Sequence, residues 1–494
     1  MKQGRKPVVG AVYGVYVEEL KKYGAYQILE VLKGSICYIV LDYLESAPPK
    51  EEILPDLRPF YRERYRYHHA LAMEYISNDR IPSDYVFCGV CPPVTNKSCD
   101  VYGGDKWGYG IEYLFEMDWR QGDARQKENY KKYINGGEWV NLSKGSFRKN
   151  EPVLTTALYE AVEHNFSVEL FPCVTDVAIE GANLGILDCI AGASLIRSFR
   201  WKSPQTEVLD FRKLQQIHSF ELDGTGVKRI YLPDDVRYLK LTGKLKSELQ
   251  IIGKPRNLNL SMEDADLRDY GLSDVHNLAV FKIKELDLGE IPLLFPELRE
   301  LGLWGKPGII NNLEALEKLH FLRDLIIQDS FGFSAEDMKV LERISELRSV
   351  DLYSVPKEAG MTVRKTWKGK LDYLEVKRLR SDDWLKENLE NPFRDWDGSE
   401  FVPAAAYKKT IQQYKKTKKQ LEQVSTKEEA VAAAKEYGLR FNCLNRQYDQ
   451  FIETDEREDL FHVLESLYED FLKDKNLIDL DDFLDILDEI RDEW

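Results

Sequence analysis

Residues 298–376 repeat one short pattern four times, as Leu298-x-x-Leu301-x-Leu303, Leu322-x-x-Leu325-x-Ile327, Leu347-x-x-Val350-x-Leu352 and Leu371-x-x-Leu374-x-Val376. The middle apolar residues of these four hits are 24, 25 and 24 positions apart. Towards the N-terminus the same pattern gives six further middle residues, which are Val177, Phe199, Phe220, Leu239, Leu258 and Phe281. Ten hits at one period predict a repeat architecture, because such self-similarity is its signature.

The spacing lies in the range of leucine-rich repeats, whose unit is a short strand followed by a returning helix or turn. It predicts a solenoid of about ten units over residues 166–380. Residues 126–165 are predicted to be a linker followed by an N-terminal cap, in which a helix at 152–165 covers the open end of the array.

Composition narrows the class of protein. A chain of 494 residues with 43% apolar residues predicts two to four domains with real cores. It has no apolar run of about 18 residues and no signal-peptide pattern, so neither a membrane span nor secretion is expected. Seven scattered cysteines are typical of a reducing compartment. We therefore expect a soluble protein of a reducing cytoplasm.

The charge is unevenly distributed. The net charge is −16, and residues 455–494 contribute −12 of it through sixteen acids and four bases. This balance disfavours direct nucleic-acid binding, which depends on lysines and arginines that displace counterions. It favours a basic partner. The acidic tail could imitate a phosphate backbone in the groove of a nuclease, and the alternative is a solvated helical face.

The N-terminal region has a β pattern. Residues 8–44 contain three short alternating runs separated by glycines, and residues 86–90 predict another strand. The aromatic segment 103–119 is predicted to close the region as a strand. A small barrel-like, β-rich module is therefore expected over residues 1–125.

Two segments of this region resemble the immunity protein 26 family of bacterial polymorphic toxin systems. They are GAVYGVYVEELKKYGAYQILEV at 10–31 and GDKWGYGIEYLFEMDWR at 104–120, although Ala11 stands where the family often has an acidic residue. The turn NPFRDWDG at 391–398 is similar to a segment of leucine-rich-repeat proteins from toxin-immunity loci. The resemblance implies a module that binds and neutralises a toxin, and it implies no catalytic residues.

Residues 381–494 predict helices at 382–389, 403–423, 455–472 and 480–493, with a further helix that starts at the capping-box pattern Ser425-x-x-Glu428. We therefore expect these helices to form a C-terminal bundle with an acidic outer face. The predicted fold class is thus α+β multidomain, with a barrel-like N-terminal module, a leucine-rich-repeat solenoid and a C-terminal helical domain.

Sites for metals or catalysis are weakly indicated. Cys88, Cys91 and Cys99, with His68 and His69 nearby, are the best metal candidates. They form only one close pair, whereas structural zinc usually takes two, so buried or incidental cysteines are favoured. No nucleophile elbow, phosphate-binding loop or zinc-protease motif is present. We expect no cofactor and no enzymatic activity.

The repeat pattern offers a better candidate site. The residue after the first apolar position is basic in seven units, giving Arg197, His218, Arg237, Arg256, Arg299, Arg323 and Arg348. Stacked strands would align these into a basic ladder on the concave face. Neighbouring exposed positions hold Tyr238, Glu300, Trp304, Asp324, Tyr353 and Tyr373. Such a surface is typical of protein-binding faces, and the alternative is that the arginines pair with acids of the same chain.

These patterns together favour an immunity protein that binds a cognate protein toxin, possibly a basic nuclease, and blocks its active site or substrate access. The first alternative is a repeat-based scaffold or regulator in a bacterial defence or signalling complex. The second is an enzyme with a site around His68, His69 and the cysteines.

Overall fold

A computed structural model of the chain describes residues 6–77, 80–104, 107–108, 110–183, 185–255, 257–263, 267–272, 274–388, 391–492 and 494. The chain forms two compact units, Met1–Leu379 and Arg380–Trp494. The finer division of the first unit at residues 125 and 165 stays a prediction.

The secondary structure is mixed. The strands are β1 Ala11–Val17, β2 Lys22–Leu32, β3 Ser35–Glu45, β4 Tyr61–Arg62, β5 Ala70–Leu71, β6 Met73–Ile76, β7 Val86–Val90, β8 Trp139–Leu142, β9 Gly145–Arg148, β10 Val153–Thr155, β11 Asp176–Glu180, β12 Ser198–Lys202, β13 Val208–Asp210, β14 Ser219–Asp223, β15 Arg229–Tyr231, β16 Tyr238–Thr242, β17 Gln250–Ile252, β18 Leu258–Glu263, β19 Val275–Asp287, β20 Glu300–Asn311, β21 Asp324–Phe331, β22 Ser349–Tyr353 and β23 Tyr373–Lys377. The α-helices are α1 Ile111–Gln121, α2 Ala124–Tyr133, α3 Thr156–Ala161, α4 Ile186–Cys189, α5 Ile291–Leu294, α6 Lys357–Trp367, α7 Asp382–Asn388, α8 Ala404–Gln423, α9 Lys427–Gln447, α10 Thr454–Phe471 and α11 Leu480–Ile490.

Eleven strands of the first unit form one parallel sheet. Their order is β10, β11, β12, β14, β16, β18, β19, β20, β21, β22 and β23, so that the sheet follows the chain. One apolar residue of each strand after β10 aligns with its counterparts on the neighbouring strands, and these are Val177, Phe199, Phe220, Leu239, Leu260, Leu278, Leu301, Leu325, Val350 and Leu374. Their burial beneath the sheet builds one continuous core.

Two of the ten residues predicted to form the aligned row do not belong to it. Leu260 aligns with Leu239 and Leu278 aligns with Leu301, in place of the predicted Leu258 and Phe281. The pairing of β18 with β19 shifts by one residue next to Leu258. Because side chains alternate faces along a strand, Phe281 points away from the row of Leu278.

The N-terminal part of the first unit is built on a five-stranded antiparallel sheet in the order β6, β3, β2, β1, β7. Both faces of this sheet carry buried apolar clusters. Helix α1 covers one face, where the Tyr113 hydroxyl donates to the backbone oxygen of Leu41 at 2.6 Å. The same hydroxyl accepts from the backbone N–H of Ala25 at 2.9 Å, which fixes the helix to the sheet.

The predicted fold class is wrong. The protein is α/β, with the eleven-stranded parallel sheet, the open five-stranded antiparallel sheet and C-terminal helices, in place of a barrel-like module and a repeat solenoid. The N-terminal sheet does not close, because β6 pairs on its outer side with residues 101–104 and not with β7. Between the parallel strands, several connections are short 3₁₀ helices or the strands β13, β15 and β17, which form a separate parallel sheet.

Two predicted elements of the N-terminal half also differ. The segment expected as a closing strand contains α1, and the segment expected as a linker contains α2 and the β8–β9 hairpin. The helical period of α1 is hidden because Glu116 and Asp118 are buried on the same helix as Tyr113, Leu114 and Trp119. Because acidic residues are rarely buried, a helix face that contains them is not recognised from the sequence as facing the core.

The C-terminal unit consists of helices α7 to α11 around its own apolar core. The capping box forms one residue later than the pattern predicted, with the Thr426 side chain and Glu429 closing it reciprocally. Helices α10 and α11 contribute Leu460, Leu464 and Phe483 to the core. Among the described residues, no helix is both long enough and apolar enough to cross a membrane.

Candidate functional site

The side chains that alternate with the buried row lie on the other face of the eleven-stranded sheet, which we call the polar face. Two rows of residues cross it in register. The first row is Asp176, Ser198, Ser219, Tyr238, Asn259, Asn277, Glu300, Asp324, Ser349 and Tyr373. The second row is Ala178, Arg200, Glu221, Lys240, Ser261, Ala279, Gly302, Ile326, Asp351 and Glu375.

The predicted basic ladder occupies the position just before the first row, and its first members converge on Asp118 of α1. Arg237 Nη1 and Nη2 donate to Asp118 Oδ2 and Oδ1 at 2.6 and 2.9 Å. Arg197 Nη2 donates to the backbone oxygen of Asp118 at 2.8 Å. His218 Nε2 lies 3.7 Å from Asp118 Oδ1. Through its carboxylate and its backbone oxygen, Asp118 therefore connects α1 to the residues that directly precede three strands of the parallel sheet.

Two later members of the ladder also pair with the N-terminal half. Arg299 Nη1 lies 2.8 Å from Glu18 Oε1, and Arg348 Nη1 lies 2.6 Å from Asp84 Oδ2. These ion pairs are partly exposed, so their contribution to stability is modest. Together with Asp118, they show that much of the ladder contacts acids of its own chain.

The remaining arginines of the ladder differ. Arg323 is half-buried and lies between Arg299 and Arg348 in the sequence of strands, and it forms no ion pair with any residue that the structure describes. Arg256 lies outside the described residues. Arg237, Arg299 and Arg348 form ion pairs with acids of the same chain. A direct role of the ladder in binding a partner stays a prediction.

Sequence reasoning did not single out Asp118, Glu18 or Asp84. Asp118 and Arg237 are 119 residues apart, so no local spacing connects them. One indication was present in the sequence, namely the run of basic residues at one repeated position, for which pairing with acids of the same chain was the stated alternative.

His218 belongs to the same buried cluster. Burial and the neighbouring Arg237 guanidinium lower the pKa of His218, although the carboxylates of Asp118 and Asp235 oppose this shift. Its Nδ1–H donates to the backbone oxygen of Asp235 at 2.9 Å. The imidazole is therefore held neutral near pH 7.

The other predicted contact residues lie on or beside the polar face. Tyr238, Glu300, Asp324 and Tyr373 are in the first row, and all four are half-buried. Tyr353 ends β22, where the Arg378 guanidinium lies 5.4 Å from its ring centroid. The face thus brings these residues onto one surface, as the strand pattern indicated.

Trp304 forms the most distinctive feature of the polar face. Its ring stacks on that of Phe281 from the adjacent strand, with centroids 4.6 Å apart and planes at 16°. A Cβ at Gly302 would lie 2.2 Å from Trp304 Cη2, so only glycine leaves room for the ring. We call Phe281 and Trp304 the aromatic pair. Phe281 was missed because the pattern had assigned it to the core.

Charged side chains fill the part of the polar face nearer its N-terminal strands. They line a groove of about 350 Å³, and the charged members are Glu180, Arg200, Lys202, Glu221, Asp223, Lys240 and Glu263. Lys240 Nζ lies 2.9 Å from Glu221 Oε1, and this hydrogen bond raises the pKa of Lys240. Arg200 Nε lies 3.6 Å from the second oxygen of Glu221. The groove therefore offers both signs of charge to a partner.

The cysteines of the weak metal candidate contact three different acceptors. Cys88, Cys91 and Cys99 donate to the backbone oxygens of Val86, Leu54 and Val101 at 3.2, 3.8 and 3.6 Å. Burial raises the pKa values of Cys88 and Cys91, which disfavours the thiolate that a metal requires. Across the described ranges, no cluster of three or more His, Cys, Asp or Glu side chains could hold a metal ion.

Comparison with known proteins adds no relative: no family model matches the chain, and no curated protein matches it significantly.

Proposed function

We propose that this protein is an immunity protein of the bacterial cytoplasm that binds a cognate toxin and blocks its active site or its access to substrate. Stoichiometric inhibition of this kind needs a complementary surface and no chemistry. Support comes from the polar face and from the N-terminal segments that resemble the immunity protein 26 family.

The aromatic pair is the observation that carries the proposal. A tryptophan stacked on a phenylalanine in the middle of a polar sheet face is the type of anchor that dominates binding energy in protein interfaces. Mixed charges at Arg200, Glu221 and Lys240 lie on the same face, on strands to one side of the pair, and would give orientation. The ion pairs of the ladder make the N-terminal half a fixed support beside this face.

The proposed toxin is basic. The chain carries a net charge of −16, with −12 of it in residues 455–494, and opposite charge on the partner would speed association. A nuclease is one such partner, since its substrate groove binds phosphate.

Co-expression with the product of the neighbouring gene tests the proposal. Wild-type protein should restore growth of cells that express this product, and Trp304→Ala should not. Trp139→Ala is the matched control, because Trp139 is 59% exposed on the β8–β9 hairpin and should be dispensable. A harmless neighbour, or full protection by Trp304→Ala, would contradict the proposal. A stable complex without growth protection would favour a scaffold or regulator instead.

A further inference from the structure

Two helices of the C-terminal unit carry opposite charge. Helix α8 contains six lysines and a single acid, Glu422. Helix α11 contains five acids and no base. A helix as basic as α8 is unexpected in a chain whose net charge is −16, and its lysines therefore point to an acidic partner.

Helices α8 and α11 lie on opposite sides of α9. On one side, Glu436 of α9 accepts a hydrogen bond from the Gln420 amide of α8 at 2.7 Å. On the other side, a Cβ at Gly438 of α9 would lie 2.8 Å from Ile490 Cδ1, so α11 packs directly against this glycine. At about 100° per residue, Glu436 and Gly438 point in nearly opposite directions from the helix axis. The unit therefore has a basic side and an acidic side.

The exposed side of α8 is a row of lysines, which we call the lysine face. Its members Lys408, Lys415 and Lys419 project opposite the buried Thr410 and Thr417 of the same helix. All three lysines are exposed, and none forms an ion pair with a residue that the structure describes. Lys415 and Lys419 are four residues apart, a spacing at which like charges destabilise a helix. An acidic surface bound here would relieve this repulsion.

The exposed side of α11 has the complementary charge, and we call it the acidic face. It consists of Asp481, Asp485 and Glu489, which are exposed and form no ion pair within the described parts of the chain. These acids are four residues apart, or about 6 Å along the helix, and the same distance separates Lys415 from Lys419. Two antiparallel helices can therefore place the acids opposite the lysines.

We infer that the lysine face of one copy binds the acidic face of a second copy, so that the protein self-associates head to tail. Because α9 separates the two faces, they do not meet within one copy. Each pair of copies leaves one lysine face and one acidic face free, so the assembly can grow. Exposed ion pairs contribute little individually, and the association is therefore weak and sensitive to salt. This inference goes beyond the proposed function, because self-association needs no toxin.

Analytical ultracentrifugation of the full chain and of two charge-reversal variants tests this inference. The average mass of the wild-type protein should rise with concentration at about 0.02 M salt and stay that of a monomer at about 0.5 M salt. Each variant alone should be a monomer at low salt, because both of its faces then carry the same charge. A mixture of the two should associate, since each supplies the charge that the other has lost. The substitutions are Lys408→Glu, Lys415→Glu and Lys419→Glu in the first variant, and Asp481→Lys, Asp485→Lys and Glu489→Lys in the second.

The matched control reverses three exposed lysines of the N-terminal half, by Lys33→Glu, Lys50→Glu and Lys97→Glu. It changes the net charge as much as the first variant does, and it should self-associate like wild type. Circular dichroism should show the same helix content in all variants. A wild-type protein that is monomeric at low salt, or a mixture of the reversal variants that stays monomeric, overturns the inference. Self-association of either reversal variant alone, or its loss in the control, also overturns it.

Discussion

At the scale of single residues, Asp118 determines how the N-terminal half contacts the parallel sheet. It is 6% exposed and accepts two hydrogen bonds from the Arg237 guanidinium, which donates a third to Asp235. Removing one partner of a buried pair leaves the other charge desolvated, which costs more than the pair itself contributes.

Asp118→Asn should therefore lower the free energy of unfolding by about 3 kcal/mol, because the Arg237 charge loses its buried partner and keeps only the exposed carboxylate of Asp235. Urea denaturation of the full chain measures this change. Asp210→Asn is the control: Asp210 pairs with Arg212 at the surface, where an ion pair contributes less than about 1 kcal/mol. Equal effects of the two substitutions would exclude a special role for Asp118.

His218 makes the stability of the first unit depend on pH. Its pKa is lowered in the folded state by burial and then by Arg237, so protons bind more readily to the unfolded chain, with a pKa of about 6.5. The contribution of neutral His218 to the free energy of unfolding is fully present above that pH, and it is lost as the pH decreases below it. His218→Asn should reduce the loss of stability between about pH 6.5 and pH 5. Part of the loss of stability at low pH should remain in this variant, because the pKa of His276 is also lowered by burial in the folded state. An unchanged pH profile would contradict this role.

At the scale of elements, strands β19 and β20 show what the sequence could reveal. The repeated pattern located the strands from β11 to β23 that carry the apolar row. It could do so because the apolar residues that each strand buries are spaced within a few positions of one another in the sequence. It did not place Phe281, since a one-residue shift between β18 and β19 changes which side chains reach the core. The aromatic pair is a contact between strands that the unit-by-unit pattern could not show.

Gly302→Ala tests whether β20 is shaped for Trp304. The added methyl group would occupy the position of the ring edge, so the ring must move away from Phe281. Affinity for the cognate toxin should fall about tenfold, as expected for loss of an aromatic anchor, while the melting temperature changes little. Gly137→Ala is the control, because a Cβ there meets no atom within 4 Å. Equal affinities of the two variants would show that the position of Trp304 is unimportant.

The connections between strands were less predictable than the strands. The predicted solenoid required a returning helix or turn in each unit, but the structure uses 3₁₀ helices, short helices and a separate three-stranded sheet. The basic ladder was visible in the sequence, yet its acids were not, because Glu18, Asp84 and Asp118 lie in distant elements. Ion pairs between residues that are far apart in the chain produce no repeated spacing in the sequence.

At the scale of the whole molecule, the chain has two compact units and an acidic charge concentrated in one of them. Deleting the acidic residues after position 455 would remove α10 and α11, which supply part of the core of the C-terminal unit. Substitution of exposed acids is therefore the better test of charge.

Asp481→Asn, Asp485→Asn and Glu489→Gln together remove three exposed charges from α11 without changing its core residues. If the acidic surface binds a basic toxin, the triple variant should bind more weakly at low salt and similarly to wild type at high salt. Circular dichroism should show an unchanged fold. Equal affinity at all salt concentrations would exclude the acidic surface as a contact.

The central claim is that the aromatic pair of the polar face binds the cognate toxin. Isothermal titration of the purified toxin into wild-type protein, Trp304→Ala and Trp139→Ala measures this contact directly. We predict that Trp304→Ala weakens binding by at least about 2 kcal/mol, the usual loss for an interface anchor, while Trp139→Ala binds like wild type. Wild-type affinity of Trp304→Ala, with the fold intact, would contradict the claim.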